Sequence, residues 1–342
     1  MVKIPAAGTA LTRRSIVKSA GTLAISVAAP SILHLGTAFA AFPDRPIKIV
    51  VANTPGGPSD IIARLMAALM QESMPGASII VENKGGAGGN IGMGSVARAE
   101  ADGYTILLST SAYSVNPGLY ASLPYDPFKD FVAVCELAVT PHVFAVKADL
   151  PAKTMKEFVA LVKKDPDKFN VSTPPIGTTP QLQAEVLKLR EGLQKMATVV
   201  FAGGGDAVKA VLSNTVQLNS GTLAPAHPHI KAGTLKGLAV TSTKRWHDLP
   251  DIPTMKEAGY DDFVFETYCA LMAPAKIPPE ARDKLEKVAL EILAKPEVRQ
   301  KLTQSGFEVT AKDGKGHMAR ITKEVAMFKD IIVKAGIKQI VN

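Results

Sequence analysis

Short apolar runs alternate with amphipathic stretches along almost the whole chain. Runs 47–52, 77–81 and 105–109 have the length and composition of buried strands, while 61–70 and 93–99 repeat their apolar positions at helical spacing. Strands and helices in this order predict a parallel sheet covered on both faces. Segment 113–131 is rich in Pro, Tyr and Asp and reads as a loop; 131–139 and 142–146 read as two strands. Helix 151–164 carries Thr154 as its N-cap and Glu157 three positions on, a capping box. A second series follows: strand 169–172, turn 173–179, helix 180–191, strand 197–201, glycine turn 202–205, helix 206–212 and strand 235–242. Run 263–272 is β-rich, 274–279 is proline-rich, and 279–294, 296–305 and 316–335 are helical in spacing.

Two α/β series in a chain of this length predict two domains. The first is expected to combine 41–142 with 268–342, and the second to span 143–267. The chain then crosses between them near His142 and near Tyr268. Two crossings make a hinge, and the cleft between domains is a natural ligand site.

Two glycine-rich turns carry the strongest local signal. Thr54-Pro55-Gly56-Gly57-Pro58-Ser59-Asp60 and Gly85-Gly86-Ala87-Gly88-Gly89-Asn90-Ile91-Gly92 each link a strand to a helix. Such a turn aims free backbone N–H groups and the positive end of a helix dipole at one spot, which suits a carboxylate or phosphate. Asp60 is also placed to cap the first helix.

The first 40 residues are expected to be an export signal that is removed. Thr12-Arg13-Arg14-Ser15-Ile16-Val17-Lys18 has a twin-arginine form, an apolar stretch runs to Leu35, and Ala38-Phe39-Ala40 resembles a cleavage site. Lys and Arg total 39 and Asp and Glu 31; Lys3, Arg13, Arg14 and Lys18 fall in the leader, leaving 35 against 31, or +4. The remaining basic residues are scattered and not interleaved with aromatics, which argues against nucleic acid. Cys135 and Cys269 could pair outside the cytoplasm or stay as two buried thiols; spacing leaves both open.

Reactive chemistry has little support. The second glycine turn fails the dinucleotide pattern, because Ile91 stands where a third glycine is needed and no acidic residue follows at ribose distance. His227-Pro228-His229 reads as part of a loop without further metal ligands, and His142 and His247 stand alone as structural or surface residues. Neither cysteine sits beside a histidine at a helix start, and no Gly-x-Ser-x-Gly elbow exists. Ser109, Thr110 and Ser111 read as neutral donors for an anion. Trp246, after Lys244 and Arg245, reads as a surface packing residue. No catalytic residue, metal or cofactor is expected.

An ordered set of motifs resembles a known family. It runs from Arg45-Pro46-Ile47-Lys48-Ile49-Val50 and Pro55-Gly56-Gly57 with Asp60 and Arg64, through Val81-Glu82-Asn83 and Gly86 to Gly92. It continues through Asp102-Gly103-Tyr104-Thr105, Asn116-Pro117 and Leu123-Pro124-Tyr125-Asp126-Pro127 to Leu249-Pro250-Asp251-Ile252-Pro253-Thr254 and Ala273-Pro274-Ala275. The chain resembles the periplasmic solute receptors of tripartite tricarboxylate transporters, the Bug family. The resemblance implies a two-domain α/β fold of the periplasmic-binding-protein kind, with a hinge and an interdomain ligand cleft. It implies an exported, monomeric receptor that hands a small organic carboxylate to membrane permease subunits. A receptor docking on a sensor kinase, or an enzyme acting on a carboxylate, are the alternatives.

By the same resemblance the ligand meets Pro55, Gly56, Gly57, Asp60, Ser109, Thr110 and Ser111 from one domain. Thr178, Thr179, Gly203, Gly204 and Asp206 face it from the other, and Asn90 of the second glycine turn joins the lining. The chain departs from the family pattern at Asn53, Thr54, Phe201 and Tyr268. Gly221 stands where members that bind amino acids often carry aspartate, which favours a plain carboxylate over an amino acid.

Overall fold

The computed structural model describes residues 42–334 and 336–341. The expected export signal lies outside the described residues. The elements in order are β1 (Ile47–Val51), α1 (Pro58–Ser73), β2 (Ile79–Asn83), α2 (Asn90–Ala97), β3 (Thr105–Thr110), α3 (Ala112–Leu119) and β4 (Phe131–Lys147). Next come α4 (Met155–Lys164), β5 (Asn170–Thr173), α5 (Thr179–Glu191), β6 (Ala197–Val200), α6 (Gly204–Leu212), β7 (Leu218–Thr222), α7 (Leu223–Lys231) and β8 (Leu235–Val240). The chain ends with β9 (Glu266–Pro274), α8 (Pro279–Ala294), α9 (Pro296–Gln304), β10 (Glu308–Asp313) and α10 (Gly314–Lys334).

The ten strands are linked in the order β2-β1-β3-β9-β4-β7-β5-β6, with β10 and β8 also pairing β4. β1 pairs β2 and β3 in parallel, and β5 pairs β6 and β7 in parallel, as the two predicted series require. β9 and β4 are antiparallel to their neighbours and join the halves. Alternation along each strand feeds a core on either face. Ile47, Ile49 and Val51 pack with α1 and α8, while Val50 packs with Met93, Val96 and Tyr113. Phe144 and Val146 join one core of the other half, and Val143 and Ala145 the second. The described residues form one compact unit. None of its helices is long and apolar enough to cross a membrane.

β4 corrects the expectation of two separate strands. It runs unbroken for 17 residues with Pro141 inside it. Residues up to Pro141 pair with β9, and His142 onward with β7 and β8. Proline cannot donate to a ladder, and here it falls where the strand changes partners.

α3 corrects the loop expected over 113–131. Tyr113, Val115 and Leu119 are buried, and their packing holds a helix despite Pro117. Val115 and Leu119 share a core with Phe158 of α4 and with Phe328 and Ile332 of α10. β7, α7 and β10 were not legible in the hydrophobic pattern. His227 accordingly lies in α7, not in a loop, with its Nε2 3.0 Å from Asp248. Trp246 is buried, 5% exposed, among Val240, Leu249 and Ile252 rather than on the surface. Cys135 and Cys269 are free, buried thiols on β4 and β9, and burial pushes both up. The capping box of α4 forms as expected: Thr154 Oγ1 accepts from Glu157 N–H at 3.1 Å, and Glu157 returns a carboxylate oxygen to Lys153 N–H.

A buried charge cluster ties β4 to the C-terminal elements. Glu136 is fully buried and meets Lys312 of β10 at 3.0 Å, and His317 and Arg320 of α10 at 2.9 and 3.1 Å. Arg320 also reaches Glu266 at 2.7 Å and Glu324 at 2.6 Å. Burial pushes the Glu136 carboxyl up, but the His317 hydrogen bond, the charges of Arg320 and His317 and the Lys312 hydrogen bond outweigh it and bring it down to about 2.

Candidate functional site

A cleft opens where the parallel strands of both halves end. Five helices begin on its wall. α1 brings Gly57, Pro58 and Ser59; the end of β3 brings Thr110 and the start of α3 Ala112; α5 brings Thr178, Thr179 and Pro180. α6 contributes Gly203 and Gly204, and α7 its N-cap Thr222. The first turn of a helix leaves backbone N–H groups without intrahelical partners, so the wall concentrates donors and positive dipole ends. Among the described residues, no acidic, basic or histidine side chain lines the cleft. Among the described residues no group of three or more His, Cys, Asp or Glu is arranged to hold a metal ion.

The first glycine turn is built to hold its shape. Gly56 has a φ of +82°, open to glycine and strained for other residues. Its N–H donates to Asp60 Oδ2 at 3.0 Å, and Arg64 Nε donates to the same oxygen at 3.1 Å. Burial pushes the Asp60 carboxyl up, but the bonds from Arg64 and Gly56 prevail and hold it below the ordinary value. Asp60 therefore braces the turn and does not itself line the cleft.

The two halves touch at the cleft's edge. Thr54 Oγ1 donates to the Ala202 carbonyl at 2.8 Å. Gly177, with a φ of +91°, lies so near Gly88 and Asn116 that an added Cβ would fall 3.4 Å from Gly88 Cα and 2.8 Å from Asn116 Oδ1. At the back, His142 is fully buried between Gln183 Oε1, 2.9 Å from Nδ1, and the hydroxyls of Thr267 and Thr179, 2.9 and 3.2 Å from Nε2. Both threonines line the cleft.

Of the residues expected from sequence, Gly57, Thr110, Thr178, Thr179, Gly203 and Gly204 come together on this wall. The others lie elsewhere. Pro55 and Gly56 are exposed and outside the lining, with the Gly56 carbonyl oxygen 3.7 Å from where a Cβ on Gly205 would stand. Ser109 and Ser111 are fully buried behind Thr110, because alternate residues face opposite ways; Ser111 Oγ bonds the backbone of Glu266 and Tyr268. Asn90 is buried and accepts from Asn116 Nδ2 at 2.8 Å and Tyr125 OH at 3.1 Å. Asp206 is exposed and pairs with Lys209 at 3.3 Å. Gly221 is outside the lining, with Asn219 Nδ2 only 2.7 Å from where its Cβ would stand.

Sequence reasoning missed Asn53, Thr54, Ala202, Thr222 and Thr267 as lining residues. Thr54 was within the quoted turn, so position alone could have found it. Thr222 needed β7 and α7, which the pattern did not reveal.

The family described as the tripartite tricarboxylate transporter family receptor, TctC, matches residues 62–337. The solved periplasmic binding protein BugD is 34% identical, with a TM-score of 0.83 over 87% of this chain and all of its own. An R. palustris protein solved with adipate is 28% identical, with a TM-score of 0.83 over 87% of this chain and 100% of that one. MatC from Rhodopseudomonas palustris, solved with bound malate, is 28% identical, with a TM-score of 0.79 over 85% of this chain and 100% of its own. The mixed α/β architecture is thus that of the periplasmic binding proteins, and the chain belongs to the TctC/Bug family of periplasmic solute-binding receptors, which are not enzymes.

Proposed function

We propose that this receptor captures a small organic carboxylate and delivers it to the membrane permease subunits of a tripartite transporter. The observation that carries this reading is the meeting of five helix N-termini on a cleft without a charged side chain. Backbone N–H groups and hydroxyls there replace the hydration of a carboxylate, and the dipoles favour its charge. Lining residues come from both series, so the ligand gains contacts only when the two bodies, 41–142 with 268–342 and 143–267, are together. Ligand then favours the closed form. The adipate and malate held by its R. palustris relatives support the ligand class. Export through a twin-arginine signal ending near Ala40, and action as a monomer, complete the proposal.

Thermal unfolding of the protein from residue 41 onward against a panel of carboxylates and amino acids tests it. A carboxylate that binds only the folded state adds about 2.7 kcal/mol at a hundredfold excess over its Kd. A raised midpoint with at least one carboxylate is expected. A panel in which only amino acids act, or none does, overturns the ligand class.

A further inference from the structure

The back wall of the cleft is a chain of hydrogen bonds whose direction is fixed from one end. The Pro180 carbonyl can only accept, and the Ser220 hydroxyl donates to it at 2.7 Å. With that proton committed, Ser220 Oγ accepts from Gln183 Nε2 at 2.9 Å. This turns Gln183 Oε1 toward His142 Nδ1, 2.9 Å away, so Nδ1 carries the ring hydrogen. Burial keeps the ring neutral, bringing its pKa down to about 3. Nε2 is left with a lone pair and takes a hydroxyl proton. Thr267 lies 2.9 Å from it and Thr179 3.2 Å, so the shorter contact assigns the bond to Thr267. The two hydroxyl oxygens are 3.0 Å apart.

The two threonines therefore differ. The Thr179 proton is required by no buried group and is free to turn from Thr267 Oγ1 to a ligand. The Thr267 proton is held by His142, so Thr267 offers the cleft a lone pair. We propose that His142 is a positioning residue that makes Thr179 a donor and Thr267 an acceptor, and that this pair selects a carboxylate carrying a neighbouring hydroxyl, a hydroxy acid. A ligand carboxylate oxygen takes the Thr179 proton, and the ligand hydroxyl gives its own to Thr267 Oγ1. A deoxy acid places no donor against Thr267. This inference rests on the carboxylate reading and narrows it.

The test compares Kd by calorimetry for three matched pairs: lactate with propionate, malate with succinate, and citrate with tricarballylate. At least one hydroxy acid is expected to bind about tenfold or more tightly than its deoxy partner, since an unpaired buried polar group is costly. Thr267→Val removes the acceptor and His142→Leu frees the Thr267 proton; each is expected to cut that ratio to near one. His142→Gln, whose amide oxygen can accept in place of Nε2, is expected to restore part of it. A purely structural His142 would lower stability and leave the ratio unchanged. Imidazole ¹⁵N shifts of the wild-type protein supply a ligand-free check: protonated Nδ1 and unprotonated Nε2 are expected, and the opposite tautomer overturns the proposal. Equal affinities within every pair, or no binding of any of the six, also overturn it. A plain carboxylate that still raises the unfolding midpoint in the broader panel would leave the receptor reading intact.

Discussion

A single buried imidazole shows what a residue can contribute without touching solvent. His142 has Gln183, Thr179 and Thr267 as polar partners and no charged neighbour acting on it. Its pKa of about 3 lies below the ordinary 6.5, so the unfolded chain binds a proton that the folded chain refuses. The stability that goes with the neutral ring is whole above pH 6.5 and falls as the pH drops toward 3. The slope is about 1.4 kcal/mol per pH unit. Denaturant midpoints measured from pH 7 to pH 5 are expected to fall, and His142→Leu is expected to flatten that part of the profile relative to wild type. At this scale the sequence spoke unevenly. Gly57, Thr178 and Gly203 were readable because a strand–turn–helix unit has to place them at a helix start. His142 looked isolated because its partners are 37 to 125 positions away in the chain.

At the scale of elements, local chemistry was legible wherever it acts over a few residues. The α4 capping box and the Pro279 start of α8 stand where they were expected. α3 was not legible, since Pro117 argues against a helix and only the tertiary burial of Tyr113, Val115 and Leu119 overrides it. β10 was missed because it is half exposed and takes its place by pairing with β4. That pairing is fastened by Glu136. Glu136→Ala takes the carboxylate from His317 and Lys312 and one of three from Arg320, which keeps Glu266 and Glu324, and is expected to cost about 1–3 kcal/mol, read from chemical denaturation. The carboxyl titrates from its ordinary 4.5 to about 2 on folding. The stability tied to its charge is therefore complete above pH 4.5 and lost as the pH falls toward 2. Acid unfolding of Glu136→Gln is expected to be shallower in that window.

For the whole molecule, the hydrophobic pattern foretold two α/β series but not how they share material. α3 and α10 send side chains into a core with α4, and no sequence pattern announces such long-range packing. The contact between Thr54 and Ala202 crosses the cleft through a single hydroxyl. Thr54→Val keeps the shape and removes the bond. If the cleft closes as proposed, small-angle scattering of the ligand-free variant will show a larger radius of gyration than wild type, and a bound carboxylate will abolish the difference. Equal radii in the ligand-free proteins would mean that this bond does not hold the edges together.

The unbroken course of β4 has a further consequence. Fifteen of its residues find partners on β7, β8, β9 or β10, so neither half of the sheet has a complete hydrogen-bond ladder without it. Melting one half strips a neighbour's edge and exposes it to water. Differential scanning calorimetry is accordingly expected to give one heat-absorption peak, with matching calorimetric and van't Hoff enthalpies, rather than two. If the two bodies move against each other as proposed, the receptor would then still come apart as a single body.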